Sequence, residues 1–326
     1  MSLSVLFLGG AGMIGSAVAA ELERADAALT VVTRSEPKRA LPPGTEQLRG
    51  DVRSGAQMRT LLGSREFDVV VNWVGFEPEH IADDVELYAG STGQYVFIST
   101  CTVFARPVPQ LPITESSPRR QAVFGYGRGK VACEVFLEDA YRERGLPLTI
   151  VRPFHTYDST TIPILSGWTA IQRMRDGLGV VVHGDGTSLW TLMHSSDFAR
   201  AVVPILGNQH AVGESVNVVS GDILTWDQIH QALATAAGVR EPRLVHRSSE
   251  SISREYPGWG EVLEHDFRHS MLFDAAKLRA LSPGFAPRVS FSQGAREILE
   301  WHGQDASRQV VNPELDAAFD RLIEGP

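Results

Sequence analysis

The stretch SVLFLGGAGMIGSA, residues 4–17, limits what this chain can fold into more than any other. An apolar run enters a glycine cluster, and the cluster opens into residues with helical spacing. Gly10-x-Gly12-x-x-Gly15 satisfies one dinucleotide-binding spacing, and Gly9-x-x-Gly12-x-x-Gly15 satisfies another. Such a loop makes a tight turn, leaves a bare backbone for a pyrophosphate, and points the first amides of a helix, here around Met13 and Ile14, at the anion. The competing reading is a plain glycine-rich turn. The position directly after an apolar strand favours the nucleotide loop.

Further apolar runs at 29–33, 67–73, 94–99, 147–151 and 216–219 alternate with helix-like stretches at 14–25 and 128–144. That alternation predicts an α/β fold with a doubly wound parallel sheet. The segment FDVVVNWV is nearly all apolar, as a strand covered on both faces should be. After Arg152-Pro153 the pattern loosens, which places a smaller second region in the C-terminal half. There TWDQIHQALATAAGV reads as a helix capped by Thr225.

Apolar residues make up 43% of the 326 and charged residues 21%, the balance of a soluble globular protein. Without a membrane-length apolar run or a basic leader, the expected location is the cytoplasm and no membrane partner is expected. Cys101 and Cys133 are too few for a disulfide framework. The formal net charge of -9 disfavours nucleic acid as a partner.

Two features point to chemistry. The second strand ends VVTRSEPKR, with Thr33 where an acid would hold ribose hydroxyls and Arg34 next to it. An acid repels a 2′-phosphate and a guanidinium pairs with one, so the cofactor is expected to be NAD or NADP with a lean to NADP. Tyr126 and Lys130 stand four apart, a spacing that brings phenol and ammonium to one helix face, although Gly125, Gly127 and Gly129 weaken that helix. A free phenol with a pKa near 10 is a poor base, and a neighbouring ammonium favours its ionised form.

The glycine loop, Gly50-Asp51-Val52, FISTCTVF, Tyr126-x-x-x-Lys130, TIVRPFHTYD, HGDGTSLWTLMHSSDFA and the closing GAREILEW occur in an order that resembles the extended short-chain dehydrogenase/reductases. That group includes the NAD-dependent epimerases and dehydratases. The likeness covers nearly the whole chain and looks closest to bacterial relatives of chloroplast stem-loop-binding proteins. It implies a Rossmann domain of residues 1–157 plus about 187–236, and a substrate-binding region of about 158–186 plus 237–326. It implies that Gly9, Gly12, Met13, Ile14, Gly15, Arg34, Asp51 and Val52 hold the dinucleotide, Asp51 at the adenine amino group. It also implies catalysis by Thr100, Tyr126 and Lys130, with Lys130 on the nicotinamide ribose, and a homodimer as a common assembly.

The departures from the family shape the expected substrate. Dehydratases carry an Asp-Glu pair after the active-site threonine, where this chain has Cys101 and Thr102. Nucleotide-sugar enzymes place an asparagine at the position of His155 and a diphosphate-gripping arginine at the position of Trp190; Arg268 is the candidate replacement for a second lost arginine. A diphosphate sugar is therefore not the default. The expectation is an oxidoreductase acting on a secondary alcohol or ketone of a sugar, nucleoside or polyol, by net reduction or by epimerisation through a transient ketone. His155 is read as a substrate ligand or second proton carrier, and Trp190 as a stacking surface, each against a packing role. The rival is a non-catalytic RNA- or nucleotide-binding protein on the same fold. His265 and His269, with Asp266 or His246, have one spacing of a metal site but no accompanying HExxH acid, so no metal is expected.

Overall fold

A computed structural model describes residues 2–120, 124–219 and 222–325. Strands β1 (Ser4–Leu8), β2 (Ala28–Thr33), β3 (Glu46–Arg49), β4 (Phe67–Asn72), β5 (Thr92–Ile98) and β6 (Leu148–Pro153) join the strand Ser215–Val218 in one seven-stranded sheet. All neighbours pair in parallel, in the order Ser215–Val218, β6, β5, β4, β1, β2, β3. The winding direction changes between β1 and β4, which puts the crevice of a doubly wound sheet at the carboxyl ends of those strands.

The continuous apolar runs reflect burial on both faces. Val5, Phe7, Val69, Val71, Val96 and Ile98 pack on one side with helix α1 (Met13–Arg24) and the helix Ser195–Val202. Leu6, Leu8, Val70, Tyr95 and Phe97 pack on the other with α2 (Gly55–Leu62), α3 (Ala82–Tyr88) and α4 (Gly125–Arg144). β3 escaped the apolar pattern because EQLR lies at the sheet edge with three of its four side chains exposed. Beyond the sheet, Trp168, Trp190, Trp226, Phe267 and Phe291 form a second, aromatic core. The helix Trp226–Ala236 packs there and begins with a capping box formed by Thr225 and Gln228. Among the described residues, no helix is long and apolar enough to cross a membrane.

One ion pair crosses the carboxyl edge of the sheet. Arg39, in the loop after β2, pairs with Asp158, and its other nitrogen donates to Thr160 Oγ1 at 2.6 Å. β1, β4 and β5 lie between β2 and β6. At about 4.8 Å per strand the tie links segments that leave the sheet on the order of 19 Å apart.

Below the crevice, α3 presents Asp84 to the sheet in full burial. Its carboxylate accepts from Tyr95 Oη at 2.5 Å and Asn72 Nδ2 at 2.7 Å. Asn72 Oδ1 in turn accepts from the amides of Val74 and Gly75, which shapes the turn after β4. Desolvation pushes the Asp84 carboxyl up to about 7, with the two hydrogen bonds opposing. A raised folded-state pKa means that the folded protein holds this proton more tightly than the unfolded chain. The resulting stabilisation is full below about pH 4 and is lost as pH rises through about 7. An Asp84→Asn variant removes that dependence. Its stability relative to wild type should climb by up to about 1.4 kcal/mol per pH unit between about pH 4 and pH 7; urea denaturation across that range would check it, and parallel curves would refute it.

Candidate active site

The crevice begins where β1 passes into α1. Gly9 donates its amide to Val32 O at 2.9 Å, which pins the loop to β2. A Cβ on Gly15 would lie 2.0 Å from the Gly10 carbonyl oxygen, so only glycine lets the helix start sit this close to the loop. Gly12 is the N-cap and provides no side-chain cap. The first amides of α1, at Met13, Ile14 and Gly15, therefore lack both helical carbonyl partners and a capping oxygen. A dinucleotide pyrophosphate fits this cradle by the chemistry of its donors.

The opposite wall is α4. Tyr126 and Lys130 lie one turn apart on it, as the spacing predicts, and Gly129 between them has a specific reason to be glycine. A Cβ there would fall 2.3 Å from Phe76 O, so the bare position lets the turn after β4 reach the helix. Phe76 then stands with its ring 4.8 Å from Lys130 Nζ, and Phe97 flanks the same ammonium at 4.8 Å. Lys130 is 2% exposed and donates to Ile98 O at 2.7 Å. Burial brings its pKa down to about 8, against the opposing pull of Cys133 and Glu134.

Tyr126 is 42% exposed, and Thr100, just beyond the end of β5, lines the same cavity. Loss of hydration holds that phenol above its ordinary pKa, and the Thr100 hydroxyl works in the other direction. The lowering expected from a neighbouring ammonium does not appear, because Lys130 Nζ is turned to the Ile98 carbonyl. Thr100 Oγ1 also accepts from the Thr102 amide at 3.1 Å, which fixes the hydroxyl at the strand end.

Glu134 lies one turn beyond Lys130 and is fully buried. Arg152 grips it in bidentate fashion, with Nε and Nη2 each 2.8 Å from a carboxylate oxygen, and Arg119 adds a third contact at 2.6 Å. Cys101 Sγ donates to the Arg152 carbonyl at 3.3 Å. Both cysteines are buried free thiols with raised pKa values, and burial is the main cause in each.

A cavity of about 410 Å³ joins these walls. Gly12, Ile14 and Gly15 line it at one end, and Thr100, Tyr126, Lys130 and His155 at the other. Trp73, Val74 and Phe76 line it as well. The sequence reading missed those three, although NWVGF follows a strand that ends beside the glycine loop and could have been placed by that position. Arg34, Asp51 and Val52 lie outside the cavity, on a shelf formed by β2 and β3, where Gly50 donates to Thr33 O at 3.1 Å. Asp51 Oδ1 accepts from the Arg53 amide and closes a turn there.

The remaining candidates are placed as follows. Trp190 is 1% exposed and packs against Phe154, Phe267 and Trp226, so its ring is a wall of the aromatic core and not a surface of the cavity. Arg268 pairs with Glu250 at 2.8 Å on the outside of the protein. Asp266 is held by Arg106 and His246 by Asp227, which draws both away from a common centre with His265 and His269.

The sequence signature of the NAD dependent epimerase/dehydratase family matches residues 5–219. The chain belongs to this family. Among curated relatives, this family member is 24% identical to a chloroplast stem-loop binding protein of 41 kDa from Arabidopsis thaliana, over 98% of this chain and 83% of that protein. It is 25% identical to the 2′-dehydrokanamycin reductase of Streptomyces kanamyceticus, over 98% of this chain and 90% of the reductase. The dTDP-glucose 4,6-dehydratase of Bacillus anthracis, solved with NAD, shares the fold at a TM-score of 0.74 and 17% identity, over 94% of this chain and 98% of that one.

Two glycine substitutions should separate fold from binding in this family member. Gly15→Ala forces α1 away from the loop, so both the thermal midpoint and dinucleotide affinity should fall. A Cβ at Gly12 meets no atom within 4 Å, so Gly12→Ala should keep the thermal midpoint of the unliganded protein and act only on binding. Calorimetry of both variants with and without NADP checks this, and an unchanged Gly15→Ala would contradict it.

Proposed function

We propose that the protein is an NAD(P)-dependent oxidoreductase acting on a secondary alcohol or ketone of a sugar-like molecule that carries no diphosphate, with net reduction of a ketone as the favoured direction. The observation that carries this reading is the placing of Tyr126 and Thr100 in one cavity with buried Lys130 and the uncapped start of α1. A nicotinamide dinucleotide, when bound, supplies or takes up the hydride. Thr100 orients the reacting oxygen. Tyr126 donates a proton to that oxygen during reduction and accepts one during oxidation. Lys130 steadies the dinucleotide ribose.

Several features support this choice of substrate. Among the described residues that line the cavity, Lys130 is the single cation, so no arginine grips a diphosphate there. Cys101 and Thr102 provide no carboxylate for water elimination. The likeness to 2′-dehydrokanamycin reductase extends over almost the whole of both chains, and that relative is named for the reduction of 2′-dehydrokanamycin. Arg34, which makes no ion pair among the described residues, beside Thr33 favours NADP.

The likeness to the chloroplast protein favours a second reading, RNA binding without turnover. The two readings part on one substitution. Under the oxidoreductase reading Tyr126→Phe should lower turnover of a keto-sugar about 10²- to 10⁴-fold while NADPH affinity stays near wild type. Under the RNA reading it should change nothing, and stem-loop binding should fall steeply with salt.

Because loss of hydration holds the Tyr126 pKa above its ordinary value, reduction should hold its rate through neutral pH and decline only in alkali. Oxidation should rise with pH over the same interval. Initial rates in both directions across a pH series measure this; a reductive rate that already falls below pH 7 would count against Tyr126 as the donor. Arg34→Ala should weaken NADPH while sparing NADH, as read by fluorescence titration of each.

A further inference from the structure

We propose that Trp190 is a positioning residue: its indole N–H holds His155 in the Nε2–H tautomer, so that the substrate end of the cleft presents a permanent neutral hydrogen-bond donor. This rests on the reading of the cleft as the active site. Trp190 Nε1 lies 2.7 Å from His155 Nδ1. An indole nitrogen can only donate, so Nδ1 must accept and the ring proton of neutral His155 must sit on Nε2. Nε2 has no partner among the described residues and is not among the enclosed unpartnered atoms, while the residue lines the cavity beside Thr100 and Tyr126.

The surroundings keep that form. The rings of Trp190 and Phe267 face the imidazole, with centroids at 5.8 and 5.6 Å. Burial draws the His155 pKa down to about 4, and no charged group opposes it. Asp158, the nearest acid in sequence, is taken by Arg39 and Thr160. His155 is therefore a donor to an acceptor oxygen, a carbonyl or hydroxyl of an uncharged substrate, and not a second proton carrier. The role of Trp190 is to orient it from beneath.

The test needs no substrate. In the full chain labelled with ¹⁵N-histidine, with the His155 signals assigned by their loss in His155→Asn, the wild type should show the Nε2–H pattern without titrating from pH 8 to pH 5. Trp190→Phe keeps the apolar bulk and removes the donor, so its His155 should populate both tautomers. A wild-type His155 that shows the Nδ1–H pattern or titrates near 6.5 overturns the proposal, as does a Trp190→Phe spectrum identical to wild type. If Trp190→Phe does not fold, the wild-type titration decides. Failure here leaves the Tyr126→Phe result untouched, and loss of the reductase reading leaves this spectrum unchanged.

Discussion

The pairing of Glu134 with Arg152 ties together the two walls on which the cleft depends. Glu134 continues the helix face that carries Tyr126 and Lys130, and Arg152 stands in β6 three residues before His155. Neither side chain reaches water. Two buried ions cost several kcal/mol each in lost hydration, and only geometry as good as this bidentate grip offsets it. Removing one partner would strand the other, at about 3–5 kcal/mol. Arg119 adds a second cation to the same carboxylate, which leaves little room for Glu134 to turn away. The register of α4 against β6 is thus set by charge and not by apolar packing alone.

The glycine-loop end and the His155 end of the cleft follow different rules. At the first, backbone does most of the work: glycines that allow close approach, helix amides without a cap, and a turn shaped by Asn72. Such features tolerate little change. At the second, side chains decide. Where nucleotide-sugar enzymes place an asparagine and an arginine, this chain has a histidine and a tryptophan bonded to one another. One side of that pair faces an aromatic core, and the other lines the cavity.

Much of the fold was legible because its strands are covered on both faces, so their sequences are apolar without interruption. β3 was not, because an edge strand with exposed side chains leaves no such trace. The glycine loop and the Tyr126-Lys130 spacing were legible because each depends on neighbours in sequence. The Asp84 network, the Glu134–Arg152 pair and the shelter of Trp190 were not, since each joins residues far apart in the chain. A tryptophan among polar neighbours such as Ser188 and Thr191 can face outward or inward. Only Phe154, Phe267 and Trp226, brought together by the fold, decide that it faces inward. Arg268 was read as a possible phosphate anchor for want of the same information, and Glu250 takes it elsewhere.

The tie from Arg39 to Asp158 bears on traffic. It runs from the loop after β2 to the segment after β6, so a long molecule lying along the carboxyl edge of the sheet meets it. Its guanidinium is partly exposed although its carboxylate is buried, so water reaches the pair from the Arg39 side. Dissolved ions weaken such contacts further by screening. Ionic strength would then govern the residence time of whatever occupies the crevice, separately from how tightly the crevice holds it.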